Sequence, residues 1–323
     1  MAAGWPALPW SRIDRLVLFD APIQRDGGLL DRQWARRAPG LAAHAAAAGV
    51  PIDLALTLVN EGEFSRVFAE SRARRRLLSS ALRWIDQRFV AGLHLDVEGF
   101  SAAQPAAIGG FREWLQELDE RRRQAGKGLS AFFPASDKFT PYDAASARRI
   151  DYWVAQVYDA HWAESKATGP LVTRLQQNPV AVQRALARLR ALGVARGSVL
   201  LSVPLYGWEW PSDGEWPGAA TLGRAKLLTF AETSESLMPE DRLAATLLAQ
   251  RHGLHRDGEH TPYYAYRSGP HWIQGWYEDV PSLTRKFGPE RRQGYAGLAF
   301  FALGYDKGEI VEALLRWWRS TER

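Results

Sequence analysis

The chain has 323 residues, 46% of them hydrophobic and 24% charged, enough to bury a large core in one α/β domain. No run approaches the roughly 18 apolar residues that a membrane span needs, the start has no basic segment ahead of an apolar stretch, and the absence of cysteine excludes disulfides, thiolate catalysis and cysteine-ligated zinc. The formal charge of +5 is carried mainly by arginine, only six of the 41 basic residues being lysines, and no nucleic-acid motif accompanies it, so no nucleic-acid partner is expected.

In chain order, Met1 to Trp10 comes first and is a poor strand, because Pro6 and Pro9 remove backbone donors. Beyond it, short β-like runs alternate with helical patterns. Strands are expected at 15–21, 52–59, 92–98, 129–133, 152–158, 199–206 and 295–303, and helices at 31–48, 65–88, 109–124, 179–192, 241–252 and 307–319. This βα alternation predicts a parallel sheet, and at this length an α/β (β/α)8 TIM barrel whose first strand is irregular or missing. One catalytic barrel domain is expected over 1–323, with 208–272, too long for a βα loop, as a small insertion on the catalytic rim. Arginine runs at 72–76 and 121–123 fall in helical stretches and read as solvated faces, with a polyanion site as the alternative.

The strand at Gly92 to Glu98 carries the most information. Its period of two puts Leu93, Leu95 and Val97 on one face and His94, Asp96 and Glu98 on the other. A strand inside such a sheet is apolar on both faces, and a buried carboxylate is costly unless paired, hydrogen-bonded or used for chemistry. Gly99 marks the C-terminal end, where barrels place reactive groups. Asp96 and Glu98 are therefore a candidate pair in which one carboxyl keeps its proton near neutral pH and acts as general acid; a salt-bridged strand end is the alternative. Polar strand ends recur at Gln156-Val157-Tyr158-Asp159, at Val203 to Gly207 and at Phe300 to Asp306, where a phenol or amide either faces the same cavity or merely caps its strand. Trp208, Trp210, Trp216, Trp272 and Trp276 lie in Gly/Pro-rich segments, where flat rings suit the faces of sugars.

Together these segments resemble glycoside hydrolase family 18, the chitinase-like barrels. That family's fourth-strand signature, DxxDxDxE, becomes Ala91-Gly92-Leu93-His94-Leu95-Asp96-Val97-Glu98, with the last two acids kept and the first two replaced. Its Met-x-Tyr-Asp is matched by Gln156-Val157-Tyr158-Asp159, its Pro-x-Tyr-Gly by the segment Val203 to Gly207, and the run before its last strand by Gly275 to Asp279 with Ser282 and Lys286. The tryptophan that floors its sugar subsite is Phe301 here. The resemblance runs from about Arg12 to the C-terminus.

The resemblance implies a retaining glycosidase acting on an N-acetylglucosamine-containing polysaccharide (chitin-like, peptidoglycan or exopolysaccharide) by substrate-assisted catalysis, in which the sugar's own 2-acetamido oxygen attacks the anomeric carbon. It assigns Glu98 the proton for the leaving oxygen, Asp96 the acetamide N–H and the oxazolinium charge, and Tyr158 the acetamide oxygen. His94, Gln156, Asp159, Tyr206, Trp208, Trp210 and Phe301 are expected to contact the sugar. No cofactor and no metal is implied. The expected partner is the polysaccharide or oligosaccharide, the chain a monomer, and its place periplasmic or secreted, with a leader not visible in the chain. Because His94 and Phe301 depart from the pattern, a non-catalytic carbohydrate-binding barrel is a second reading, and a metal-dependent hydrolase using His94 and Asp96 with another histidine such as His161 is a third.

Overall fold

The computed structural model describes residues 9–32, 39–98, 104–136, 139–232 and 243–320. The succession of parallel strands and helices is that of a (β/α)8 barrel, and the chain divides into two compact units. Most of the irregular strand expected in 1–10 lies outside the described residues; Trp10 opens a single 3-10 turn, Trp10–Arg12.

The first unit comprises 2–155 and 188–199. Strands β1 (Leu16–Pro22), β2 (Ile52–Leu58), β3 (Gly92–Val97), β4 (Gly128–Phe133) and β5 (Tyr152–Ala155) pair in chain order, all parallel. Helix α1 (Pro39–Ala48) follows β1, α2 (Glu61–Ala69) and α3 (Ser71–Ile85) follow β2, α4 (Pro105–Gln124) follows β3 and α5 (Ala144–Ala147) follows β4. β2 and β3 are buried along their whole length, as strands sandwiched between a barrel interior and covering helices must be. The helix expected from Ser65 begins four residues earlier, because the Asn60 side chain caps it by accepting from the N–H groups of Gly62 and Glu63. It also breaks at Glu70, whose extended backbone separates α2 from α3.

α3 buries Ala73, Leu77, Ala81 and Ile85, a helical stripe that leaves its arginines on other faces. The second arginine run is not wholly solvated. Arg122 is buried, and every donor of its guanidinium is used: Nε to Asp119, Nη1 to Asp151 and the Lys127 carbonyl, Nη2 to Asp151 and the Arg149 carbonyl. This cation ties α4 to the segments around β4 and β5, and is a fold element rather than a docking surface.

The second unit comprises 156–187 and 200–323. After α6 (Val182–Ala191), β6 (Val199–Pro204) leads into β7 (Tyr206–Ser212), β8 (Lys226–Thr229) and β9 (Leu243–Ala244). Then come α7 (Ala245–His252), β10 (His255–Arg256), β11 (Pro262–Ser268), β12 (His271–Trp276), α8 (Val280–Arg292), β13 (Gly297–Phe301) and α9 (Glu309–Arg319). β6 and β13 pair in parallel, and the segment from Tyr206 to Trp276 forms a second sheet in the order β10-β11-β12-β7-β8-β9. A buried ion pair anchors this part. Lys286 on α8 donates to both Glu278 oxygens at 2.9 Å and to the Thr261 hydroxyl at 2.7 Å, and Glu278 also accepts from Ser282 and from the Val172 N–H. Each charge therefore has its hydrogen bonds, which is what makes burying it tolerable.

Candidate active site

In the first unit, the C-terminal ends of β1, β2 and β3 lie side by side, with Pro22 opposite Thr57 and Thr57 opposite Asp96, while Asp20 sits in an irregularity of β1 between Leu18 and Ala21. The Thr57 hydroxyl donates to Asp20 Oδ2 at 2.6 Å, and Arg32 Nε donates to Asp20 Oδ1 at 3.3 Å. Asp20, Thr57 and Asp96 line a cavity of about 780 Å³, with Phe19 and Val59 exposed beside them. Asp96 is 7% exposed, and its Oδ1 has no hydrogen-bond partner among the described residues. Burial, and then the nearby charge of Asp20, pushes the Asp96 carboxyl up to about 7.

Glu98 follows β3 directly and is half-buried. Its backbone N–H donates to the Leu58 carbonyl at 2.7 Å, extending the β2–β3 ladder one residue past the strand and fixing where the side chain starts. Gly99, expected to end the strand, lies outside the described residues.

His94 is held elsewhere. Its Nδ1 and the Ser130 hydroxyl, on the paired residue of β4, are 2.8 Å apart, and among the described residues it makes no hydrogen bond to Asp96. Burial pushes its imidazole down to about 4, so the ring is neutral at neutral pH and adds no positive charge beside Asp96. Tyr142, also buried, has its phenol held protonated by burial and then by the charge of Asp96.

In the second unit the polar segment expected to end a strand lies just beyond one: β5 stops at Ala155, and Gln156 to Asp159 form a loop, pinned where the Ser202 hydroxyl accepts from the Val157 N–H at 3.1 Å. Asp159 has φ 61°, the left-handed region that aspartate tolerates better than most residues. The Tyr206 hydroxyl donates to Asp159 Oδ1 at 2.8 Å. Burial pushes the Asp159 carboxyl up to about 6, against the lowering effect of that hydroxyl. The Tyr206 ring is the hub of an aromatic group, meeting Tyr158 at 6.0 Å, Trp208 at 5.6 Å and Phe301 at 6.4 Å between centroids, each nearly edge to face. The Leu205 N–H donates to the Phe301 carbonyl at 2.8 Å, locking the ends of β6 and β13 under that group.

The expected site residues thus fall into two sets: Asp96 and Glu98 at the end of β3, with His94 turned to Ser130, and Tyr158, Asp159, Tyr206, Trp208 and Phe301 around one hub. Gln156 is buried beside the second set in sequence. Trp210 is 0% exposed within the second sheet, opposite Gln274, and offers no face to a ligand there. Among the described residues no three His, Asp or Glu side chains converge as metal ligands would, and His161 is engaged with the Pro170 carbonyl at 2.9 Å. Asp20 and Thr57 escaped the sequence reading. The available signal was that Asp20 is the one acid in Leu-Val-Leu-Phe-Asp-Ala-Pro, near the C-terminal end of its strand.

Known proteins share the family and the fold. A family model described as Glycosyl hydrolases family 18 matches residues 58–306. The chain is 27% identical over 261 residues to "Probable chitinase 10" of Drosophila melanogaster, covering 74% of this chain and 11% of that protein. It is 19% identical over 307 residues to the cortical fragment-lytic enzyme of Bacillus anthracis, covering 90% of this chain and 64% of that protein. The chain therefore spans less than two thirds of either relative's length. Its fold is similar to the crystal structure of a family GH18 chitinase from Cycas revoluta in complex with allosamidin, with a TM-score of 0.80 and 17% identity over 98% of this chain and 96% of that one.

Proposed function

The chain belongs to glycosyl hydrolases family 18, and from that premise we propose that it is a retaining glycosidase that cleaves an N-acetylglucosamine-containing polysaccharide by substrate-assisted catalysis, outside the cytoplasm. The observation that carries this reading is the end of β3: a buried Asp96 lining a cavity, its Oδ1 without a partner among the described residues, two residues before Glu98. A buried carboxyl with an unsatisfied oxygen is unfavourable in the resting fold and becomes satisfied when a donor, such as the N–H of an acetamide, enters.

In this reading Glu98 gives its proton to the leaving glycosidic oxygen while the acetamide oxygen attacks the anomeric carbon. Water then opens the oxazolinium and returns a proton to Glu98. Asp96 takes the acetamide N–H and faces the positive charge. By family resemblance alone, Tyr158 is assigned the acetamide oxygen, Asp159 and Gln156 polar groups of a sugar, and Tyr206, Trp208 and Phe301 ring contacts, with Phe301 as the floor.

The test is release of reducing ends from chitin oligosaccharides and from peptidoglycan by the purified chain and by Glu98→Gln. The reading expects product from the former and none from the latter, with both melting alike. Ligand-induced thermal stabilisation without product from the unmutated chain would replace it with a carbohydrate-binding barrel.

A further inference from the structure

Where family resemblance puts an inner carboxylate beside Asp96, this chain has His94, and its ring is spent on Ser130. The second carboxylate of the cavity comes instead from β1. Asp20 and Asp96 line the same space and are linked through Thr57, which is paired in register with Asp96 and donates its hydroxyl to Asp20 at 2.6 Å. The two carboxyls are not equivalent. Asp20 accepts from Thr57 and from Arg32, whereas Asp96 is buried and its Oδ1 accepts from no donor among the described residues.

We propose that Asp20 is the positioning residue for Asp96: its carboxylate, fixed by Thr57 and Arg32 in the same cavity, keeps a proton on Asp96 in the resting site until positive charge forms at the reacting sugar. In that step the O–H bond of Asp96 breaks and its proton passes to solvent water, so one proton moves and the Asp96 carboxylate is left facing the oxazolinium. The inference rests on the reading of Asp96 as the group that meets the acetamide. The direction of the Asp96 shift, upward through burial and then through Asp20, agrees with it. Tyr142, from the segment ahead of α5, feels the charge of Asp96, and Arg32 acts through Asp20; the ionisable side chains nearest Asp96 in sequence are His94 on β3 and Glu98 just past it. His94 is neutral near pH 7 and Tyr142 stays protonated, so neither supplies the anion that holds the proton in place.

Three variants test this, read by the carboxyl titration of Asp96 in protein carrying ¹³C-labelled aspartate, with the signal assigned by its loss in Asp96→Asn. In Asp20→Asn the Asp96 midpoint is expected to fall by about one pH unit, and kcat by about tenfold with KM within about twofold, because the change acts on a group used in the reaction and not on sugar binding. Thr57→Val should move both readouts the same way by less, and Thr57→Ser should restore them. An Asp96 midpoint unmoved in Asp20→Asn, in protein that melts normally, overturns the proposal. Absence of turnover in the unmutated chain would count against the glycosidase reading alone, since the titration decides the role of Asp20 without turnover.

Discussion

Asp53 and Asp96 are both buried aspartates on adjacent parallel strands of the first unit, yet one sits near the N-terminal end of β2 and the other near the C-terminal end of β3. Asp53 is fully provided for: Arg15 Nη1 donates to Oδ1 at 2.6 Å and the Tyr152 hydroxyl donates to Oδ2 at 3.1 Å. Burial raises its carboxyl, and Arg15 pulls it back. Asp96 has a bare oxygen, a neighbouring carboxylate instead of a cation, and an open cavity beside it. Burial of a carboxylate does not by itself mark chemistry. What separates the two ends is that the fold satisfies both oxygens of one aspartate and, among the described residues, leaves an oxygen of the other without a donor.

The sharpest way to break that comparison is at Glu98. Glu98→Gln is expected to lower reducing-end release by about a thousandfold with no change in thermal midpoint; retained turnover would make the C-terminal end as inert as the other. Next is Asp96→Asn, which should lower kcat by about a hundredfold while making the protein more stable at alkaline pH. The sign follows from linkage. The Asp96 carboxyl titrates at about 7 in the fold against an ordinary 3.8, so the folded chain holds the proton more tightly and stability falls as pH rises through that window. The variant, lacking this group, should exceed the parent by up to about 4 kcal/mol at pH 8 and match it near pH 4, as read by chemical denaturation at both pH values.

Asp53→Ala should do the reverse, costing about 2–3 kcal/mol in denaturant because Arg15 and Tyr152 lose their acceptor, with kcat of the folded fraction unchanged. The smallest effect is expected from the second unit. Phe301→Ala removes ring surface without touching a proton, so KM should rise about tenfold, the equivalent of about 1.4 kcal/mol, while kcat stays within a few fold.

The barrel was readable because its strands and helices carry different periods, and β1 to β6 and β13 begin within two residues of where the pattern puts them. What the sequence hid were features decided by contacts between distant segments. Nothing local marks Glu70 as a break between α2 and α3, since no glycine or proline stands there. Trp208 and Trp210 look alike in sequence as loop aromatics, but both lie on β7, where sheet pairing buries Trp210 completely. At the candidate site, Asp96 and Glu98 were legible because two acids in one strand violate its apolar pattern. Asp20 followed the same rule, but a single acid near a strand end is common enough to pass unnoticed. Its link to Asp96 runs through Thr57, which donates to Asp20 and is paired with Asp96, and no spacing along the chain reveals it.

The central claim is that the substrate's acetamide is the nucleophile, and it is tested most directly by offering the chain two oligosaccharides of equal length, one N-acetylated and one N-deacetylated, and following products and their anomeric form by NMR. The account predicts cleavage of the acetylated chain with retention of configuration and no cleavage of the deacetylated one. Equal cleavage of both, or an inverted product, would contradict it.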